Sequence, residues 1–305
     1  MRFPVPAACL ALMLLAPSAG FAREPGIAPS IPPGVSLGQA NAVPLTPGLR
    51  LASRSSYEDT NVLGPDSKAT GLRNQVANET VLLTWVPGFD LLGASYKTFV
   101  LVPFLDYTLI SEAPAPKATR GTFTQAGIAN PLLQIVDLSW TLGDGFYVNT
   151  GFGVFLPIGQ RNFNAAINMG APFWTFEPSA SASYFKDGWT ASVITYLDIN
   201  TTNPVTNYYS GEVLILNATF MKLIGGFNIG PVGYWLRQVT SDANYGGPTV
   251  YGGLNAPPSE ELAIGATIST QFGNLSVQLM FTQDVYAQNS IFGSKGWLGL
   301  SYHFK

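Results

Sequence analysis

The chain has 305 residues, 47% of them hydrophobic and only 11% charged, with 32 Gly, 23 Pro and a net charge of −3. So low a charge content is unusual for a soluble domain, where about a quarter of residues are charged, and no stretch beyond the N-terminus approaches the roughly 20 apolar residues of a spanning helix. The slightly acidic balance excludes an electrostatic nucleic-acid surface; what remains is an all-β chain that hides its hydrophobicity in alternation, either a membrane barrel or a secreted sandwich.

Residues 1–22 read as a cleaved Sec-type signal peptide: Arg2 is the positive start, Ala7 to Ala16 the apolar centre, and Gly20-Phe21-Ala22 the small-x-small cleavage signal. Cleavage after Ala22 removes Cys9, the only cysteine, so disulfide and thiolate chemistry are excluded from the mature chain. Residues 23–47, rich in Pro, Ala and Gly and without a period, are expected to form a periplasmic arm ahead of the barrel. Insertion of that arm into the lumen is the alternative.

From residue 48 to 305 the chain becomes a series of alternating segments. Leu275, Val277, Leu279 and Phe281 share one face, and Ser276, Gln278, Met280, Thr282 and Asp284 the other; Glu177, Ser179, Ser181 and Ser183 oppose Phe176, Pro178, Ala180 and Ala182. Small polar residues on one face and apolar ones on the other suit a strand between lipid and a wet lumen. About twelve strands are expected, starting near Leu49, Asn74, Thr98, Phe123, Gly145, Trp174, Gly188, Tyr208, Phe227, Glu260, Asn274 and Lys295.

Connection lengths separate a barrel from a sandwich. Asp144-Gly145, Asp187-Gly188, Gly225-Gly226 and Gly273-Asn274 are tight hairpin signals. The alternate connections are long and polar: Glu58 to Arg73, Ser111 to Thr122, Gly159 to Phe173, and Thr240 to Ser259. Short turns on one rim and long loops on the other, with an even strand count, are the layout of a Gram-negative outer-membrane barrel. Pro87 to Lys97 is long for a periplasmic turn. Trp85, Trp140, Trp174, Trp189 and Trp297 fall at expected strand ends and are assigned to the aromatic girdles. The last strand, with Leu298, Leu300, Tyr302 and Phe304 on one face, resembles the signal read by the barrel-assembly machinery, apart from the extra Lys305.

An active site is not expected. His303 is the only histidine, no G-x-S-x-G turn occurs, and no metal-ligand spacing is present, so neither enzyme chemistry nor a cofactor is assigned. Residues of lumen parity become the candidates for a transport path: Glu177, Ser179, Ser181, Tyr196, Asp198, Asn217, Arg237, Gln278 and Asp284. Arg54 is expected in the lumen or near a rim for the same reason, since a midplane Arg on the lipid face costs about 2–4 kcal/mol. Ile194, Val213, Ile215 and Met280 share lumen parity and favour an apolar solute over a sugar.

Several short signatures carry a family resemblance. They are Pro47-Gly48, Phe155-Leu-Pro-Ile-Gly159, Phe173-Trp-Thr-Phe-Glu-Pro178 with Asn168 and Gly170 before it, Asn207-Tyr-Tyr-Ser-Gly-Glu212, and Gly230-Pro-Val-Gly-Tyr-Trp-Leu-Arg-Gln238. In their order the chain resembles the bacterial outer-membrane proteins named for the meta-pathway of phenol degradation. It departs at Ala126-Gly-Ile-Ala-Asn-Pro131, where a Gly-Leu-Gly-Asp-type segment is usual. The resemblance implies a transporter-like barrel associated with catabolism of aromatic or other hydrophobic compounds, and it brings no catalytic residues. The reading is therefore a monomeric channel in outer-membrane lipid for passive uptake of small hydrophobic or aromatic solutes. The alternatives are a structural or surface-interaction barrel with a plugged lumen and, less favoured, a barrel enzyme.

Overall fold

The computed structural model describes Glu24, Ile27 and residues 30–112, 120–162 and 167–304; residues 1–22, expected to be a signal peptide, lie outside these. The strands are β1 (Gly48–Leu63), β2 (Ala69–Val86), β3 (Ala94–Ser111), β4 (Gly121–Ile128), β5 (Leu132–Gly143), β6 (Phe146–Phe155) and β7 (Thr175–Lys186). They continue with β8 (Trp189–Asn200), β9 (Val213–Ile224), β10 (Phe227–Gln238), β11 (Glu260–Phe272), β12 (Leu275–Gln288) and β13 (Ile291–Phe304). Each pairs antiparallel with its neighbours in the wall. β1 also pairs with β13, from Leu49 opposite Phe304 to Val62 opposite Ile291, so the sheet closes on itself.

The barrel has twelve staves because β4 and β5 form one between them. β4 pairs with the outer half of β3, Phe104–Ser111, and β5 with its inner half, Ser95–Leu101. Ala129, Asn130 and Pro131 interrupt the stave, in the stretch where the sequence departs from the family pattern. β6 is short and stops at Phe155, so the long loop after it fills the wall above. Gln160 donates from its backbone to the Ile128 carbonyl at 2.7 Å, and Asn130 bridges Gly159 and Ala171. There Gly159 and Gly170 approach so closely that a Cβ on Gly170 would lie 2.5 Å from the Gly159 carbonyl carbon.

Strand order follows the sequence-based expectation, with local shifts. The eighth stave begins at Val213, while Tyr208 and Tyr209 pair instead with Ala243 and Asn244 in the outer loops. The turn after β2 is shorter than Pro87 to Lys97 indicated, since β3 resumes at Ala94. In the hairpins at Asp187-Gly188 and Gly225-Gly226 both turn residues have positive φ, the backbone that lets a two-residue turn match the twist of its strands. Leu262, Ile264, Leu279, Phe281, Leu298 and Leu300 point outward and are exposed. Their alternating partners are buried or half-buried. A continuous apolar exterior of this kind is the lipid-facing belt of an outer-membrane barrel.

Candidate functional site: an occluded lumen

The described part of the N-terminal arm lies inside the barrel, which corrects the expectation of a periplasmic segment. Glu24 sits among the outer loops, Leu37 is completely buried at mid-lumen, and the chain leaves by the short-turn rim at Pro47. The physical reason is backbone satisfaction. An irregular segment can occupy a closed interior only if its amides find partners, and the wall supplies them. Gly38 N–H donates to Thr219 Oγ1 at 2.9 Å, Asn41 N–H to Ser192 Oγ at 3.1 Å, and Ala42 N–H to Ser183 Oγ at 3.1 Å. The small hydroxyls that alternate along β7, β8 and β9 therefore act as a rack that holds the arm, and are not simply the lining of a wet pore.

Arg54 is the central clamp. It is 7% exposed, and its guanidinium donates to the Val35 carbonyl, to the Leu37 carbonyl at 2.7 Å and to Gln278 Oε1 at 3.1 Å. It also lies over the Trp297 ring, 5.5 Å from the centroid. Trp297 is only 4% exposed, so it belongs to the lumen and not to a girdle. Its parity, opposite to Leu298 and Leu300, carried that signal. Of the remaining girdle candidates, Trp85, Trp174 and Trp189 are exposed at strand ends, and Trp140 is half-buried with its indole N–H on the Leu92 carbonyl at 3.1 Å.

The other lumen candidates divide clearly. Glu177, Ser179, Ser181, Asp198, Asn217, Gln278 and Asp284 are buried inside, and Tyr196 packs against the mid-lumen apolar cluster. Arg237 does not join them. It is exposed on the outer face opposite Glu260, near the long-loop rim, because Tyr234, Leu236 and Gln238 take the inward positions of β10. Asn217 donates to Ser36 Oγ at 2.6 Å and Gln278 to Thr267 Oγ1 at 2.8 Å, so both support the arm or the wall. His303 donates from Nε2 to the Pro47 carbonyl at 3.1 Å, at the point where the arm turns into β1.

Cavities remain beside the arm. A lower one of about 560 Å³ runs from Ile31 toward the short-turn rim and is lined by Arg50, Arg54, Lys97, Asp137, Glu177 and His303 among others. An upper one of about 100 Å³ lies between the arm and strands β1, β2, β3, β8, β9, β10, β11 and β13. Ile31 lines both, and it packs with Leu101, Leu132, Phe155, Val213, Ile215 and Leu236. These residues form an apolar waist across the lumen. Sequence reasoning marked Val213 and Ile215, but missed Ile31, Leu101 and Phe155, since a waist depends on which wall positions share one height.

The arm's outer end is fixed by polar contacts. The Glu24 carboxylate accepts from Asn203 Nδ2 at 2.6 Å, Thr206 Oγ1 at 2.6 Å and the Tyr251 hydroxyl at 2.9 Å. Burial pushes this carboxyl above the ordinary carboxylate range, against the pull of those hydrogen bonds, and neighbouring Asp242 adds to the rise.

Among solved structures, the COG4313 outer membrane channel from Pseudomonas putida F1 superimposes with a TM-score of 0.71 at 13% identity, covering 88% of this chain and 98% of that one. The translocator domain of the autotransporter NalP from Neisseria meningitidis gives a TM-score of 0.51 at 12% identity, covering 88% and 91%. At these identities the likeness is one of fold. No curated protein matches the chain in sequence. The family described as putative MetA-pathway of phenol degradation matches residues 56–300, and the chain, an outer-membrane β-barrel, belongs to that family.

Proposed function

We propose that the barrel is a channel for passive uptake of small hydrophobic or aromatic compounds, and that the arm is its gate. The observation that carries this reading is the apolar waist at Ile31. It separates a small upper cavity with largely apolar walls from a wider polar one below, so a compact apolar solute partitions into the passage while a hydrated sugar or ion meets a dry constriction. No catalytic constellation is invoked. Neither cofactor nor covalent step is needed, and the barrel would work as a monomer in outer-membrane lipid after insertion through its C-terminal strand.

The test is the initial uptake of labelled toluene or phenol at low concentration in cells with and without the gene. A fall on deletion that is restored by the intact gene supports uptake. Ile31→Ala should raise the initial rate by widening the waist, and Ile31→Trp should lower it severalfold, with both variants showing unchanged heat-modifiable migration. Identical rates in all four strains would discard the channel. The arm's dense wall contacts would then favour the surface-interaction reading, in which the plugged barrel is a scaffold for its long loops.

A further inference from the structure

The upper cavity carries a charge imbalance that an apolar solute does not use. Its walls are apolar where Ile31, Val76, Tyr107, Val213 and Leu236 face it, but Glu58, Asn74, Glu261 and Lys295 line it as well. Two lining carboxylates, Glu58 and Glu261, meet the lining cation Lys295. That cation is already engaged: Nζ is 2.9 Å from Glu58 Oε2 and donates to the Tyr234 hydroxyl at 3.3 Å. The same hydroxyl donates to Glu261 and reaches Asp284 at 2.9 Å, and Ser290 donates to the second Glu261 oxygen at 2.7 Å. One lining ammonium beside two or more ionised carboxylates leaves negative charge in a site of low polarity, which is relieved by uptake of a proton or of a further cation.

A second observation is independent of the carboxylates. Asn74 is 2% exposed and lines the same cavity, and its carbonyl oxygen Oδ1 has no hydrogen-bond partner among the described residues. It lies on β2 opposite Thr60, two positions along from Val76, which is itself opposite Glu58. A buried acceptor left unpaired is costly and calls for a donor. Charge balance and hydrogen bonding thus ask for the same chemistry in the same cavity.

We propose that the upper cavity binds a primary ammonium carried on a small aromatic body. The ammonium would donate to Asn74 Oδ1 and lie in the field of Glu58 and Glu261, with the ring against Val76, Ile31 and Val213. A space of about 100 Å³ suits a single ring and not a long chain. This assignment rests on the uptake reading and adds to it a binding site for arylalkylamines above the waist.

The experiment is titration calorimetry on the purified full-length barrel at neutral pH with benzylamine, benzyl alcohol and benzoate. Benzylamine is expected to bind about tenfold or more tightly than benzyl alcohol, a difference typical of a charge-assisted contact, and benzoate to give no binding heat. Asn74→Leu and, separately, Glu261→Gln should each weaken benzylamine at least severalfold, the Glu261 change leaving benzyl alcohol nearly unchanged. Folding is checked by heat-modifiable migration, and the Asn74 variant serves if the Glu261 variant does not assemble. Equal affinities for amine and alcohol, or an Asn74 variant that binds benzylamine like the parent, would overturn the assignment. If gene-dependent uptake of toluene persists in that case, the channel stands and the amine site falls. Amine-selective binding without gene-dependent uptake of any solute would keep the site and remove the channel.

Discussion

Arg54 shows how much of the lumen turns on one side chain. Its guanidinium joins β1 to the arm backbone, to Gln278 and to the Trp297 ring, all within a closed interior. Hydrogen bonds to a charged group contribute about 1.5–3 kcal/mol each, so Arg54→Met should detach the arm at mid-lumen without unpicking the wall. The expected outcome is higher single-channel conductance in planar bilayers and faster cleavage of the arm by added protease, with the barrel itself still heat-modifiable. An unchanged conductance would show that the arm is held by its serine and threonine contacts alone. Parity along β1 and β13 made Arg54 legible as an inward residue and would have done the same for Trp297. What it did not show was the partner, because the two carbonyls it binds belong to a stretch with no period to read.

At the scale of elements, the strands were readable and the arm was not, and the physical cause is the same in both. A strand between lipid and lumen must alternate, and a two-residue return must carry Asp-Gly or Gly-Gly, so β7 to β13 announce themselves. The arm draws its conformation from hydroxyls on β7, β8 and β9, some 140 to 180 residues away in sequence. Nothing local encodes that. The interrupted fourth stave lies between these cases: a departure from the family pattern at 126–131 marked the place, but not the loop that repairs it. The contact of Gly159 with Gly170 closes that repair. Gly170→Val should force the loop out of the wall and lower thermal stability by about 1–3 kcal/mol, as overpacking does. Circular dichroism melts compared with a Gly247→Val control, whose added atoms would meet open space but a strained φ of +73°, would separate steric clash from backbone strain.

For the whole molecule, the arm and the barrel form one device with two ends. Below Ile31 the arm is held by neutral hydroxyls and Arg54; at the outer mouth it is held by Glu24. Because burial raises the Glu24 carboxyl above its ordinary value of 4.5, the docked arm binds a proton more tightly than a released one. The sign follows: the contribution to docking is fully present below that ordinary value and is lost as pH rises through the raised one. Conductance should therefore increase as pH rises above the ordinary value of 4.5 and through the raised one, and Glu24→Gln should flatten the profile. A lock tests the same coupling from the other side. Ser30 and Thr175 hydroxyls lie 3.3 Å apart beside the waist, and the only native cysteine is Cys9. Ser30→Cys with Thr175→Cys should lose uptake when oxidised and regain it on reduction; uptake unaffected by oxidation would mean that solutes pass beside a stationary arm.

The path of the arm also sets an order of events during biogenesis. A segment that enters among the outer loops at Glu24 and leaves at the opposite rim cannot easily be threaded through a wall already sealed. The simplest route has it in place before Leu49 meets Phe304, with the final seam between first and last strands zipping shut around it. A short epitope inserted directly ahead of Glu24 would then be carried to the far mouth by the act of closure, and antibody added to intact cells should find it on their surface.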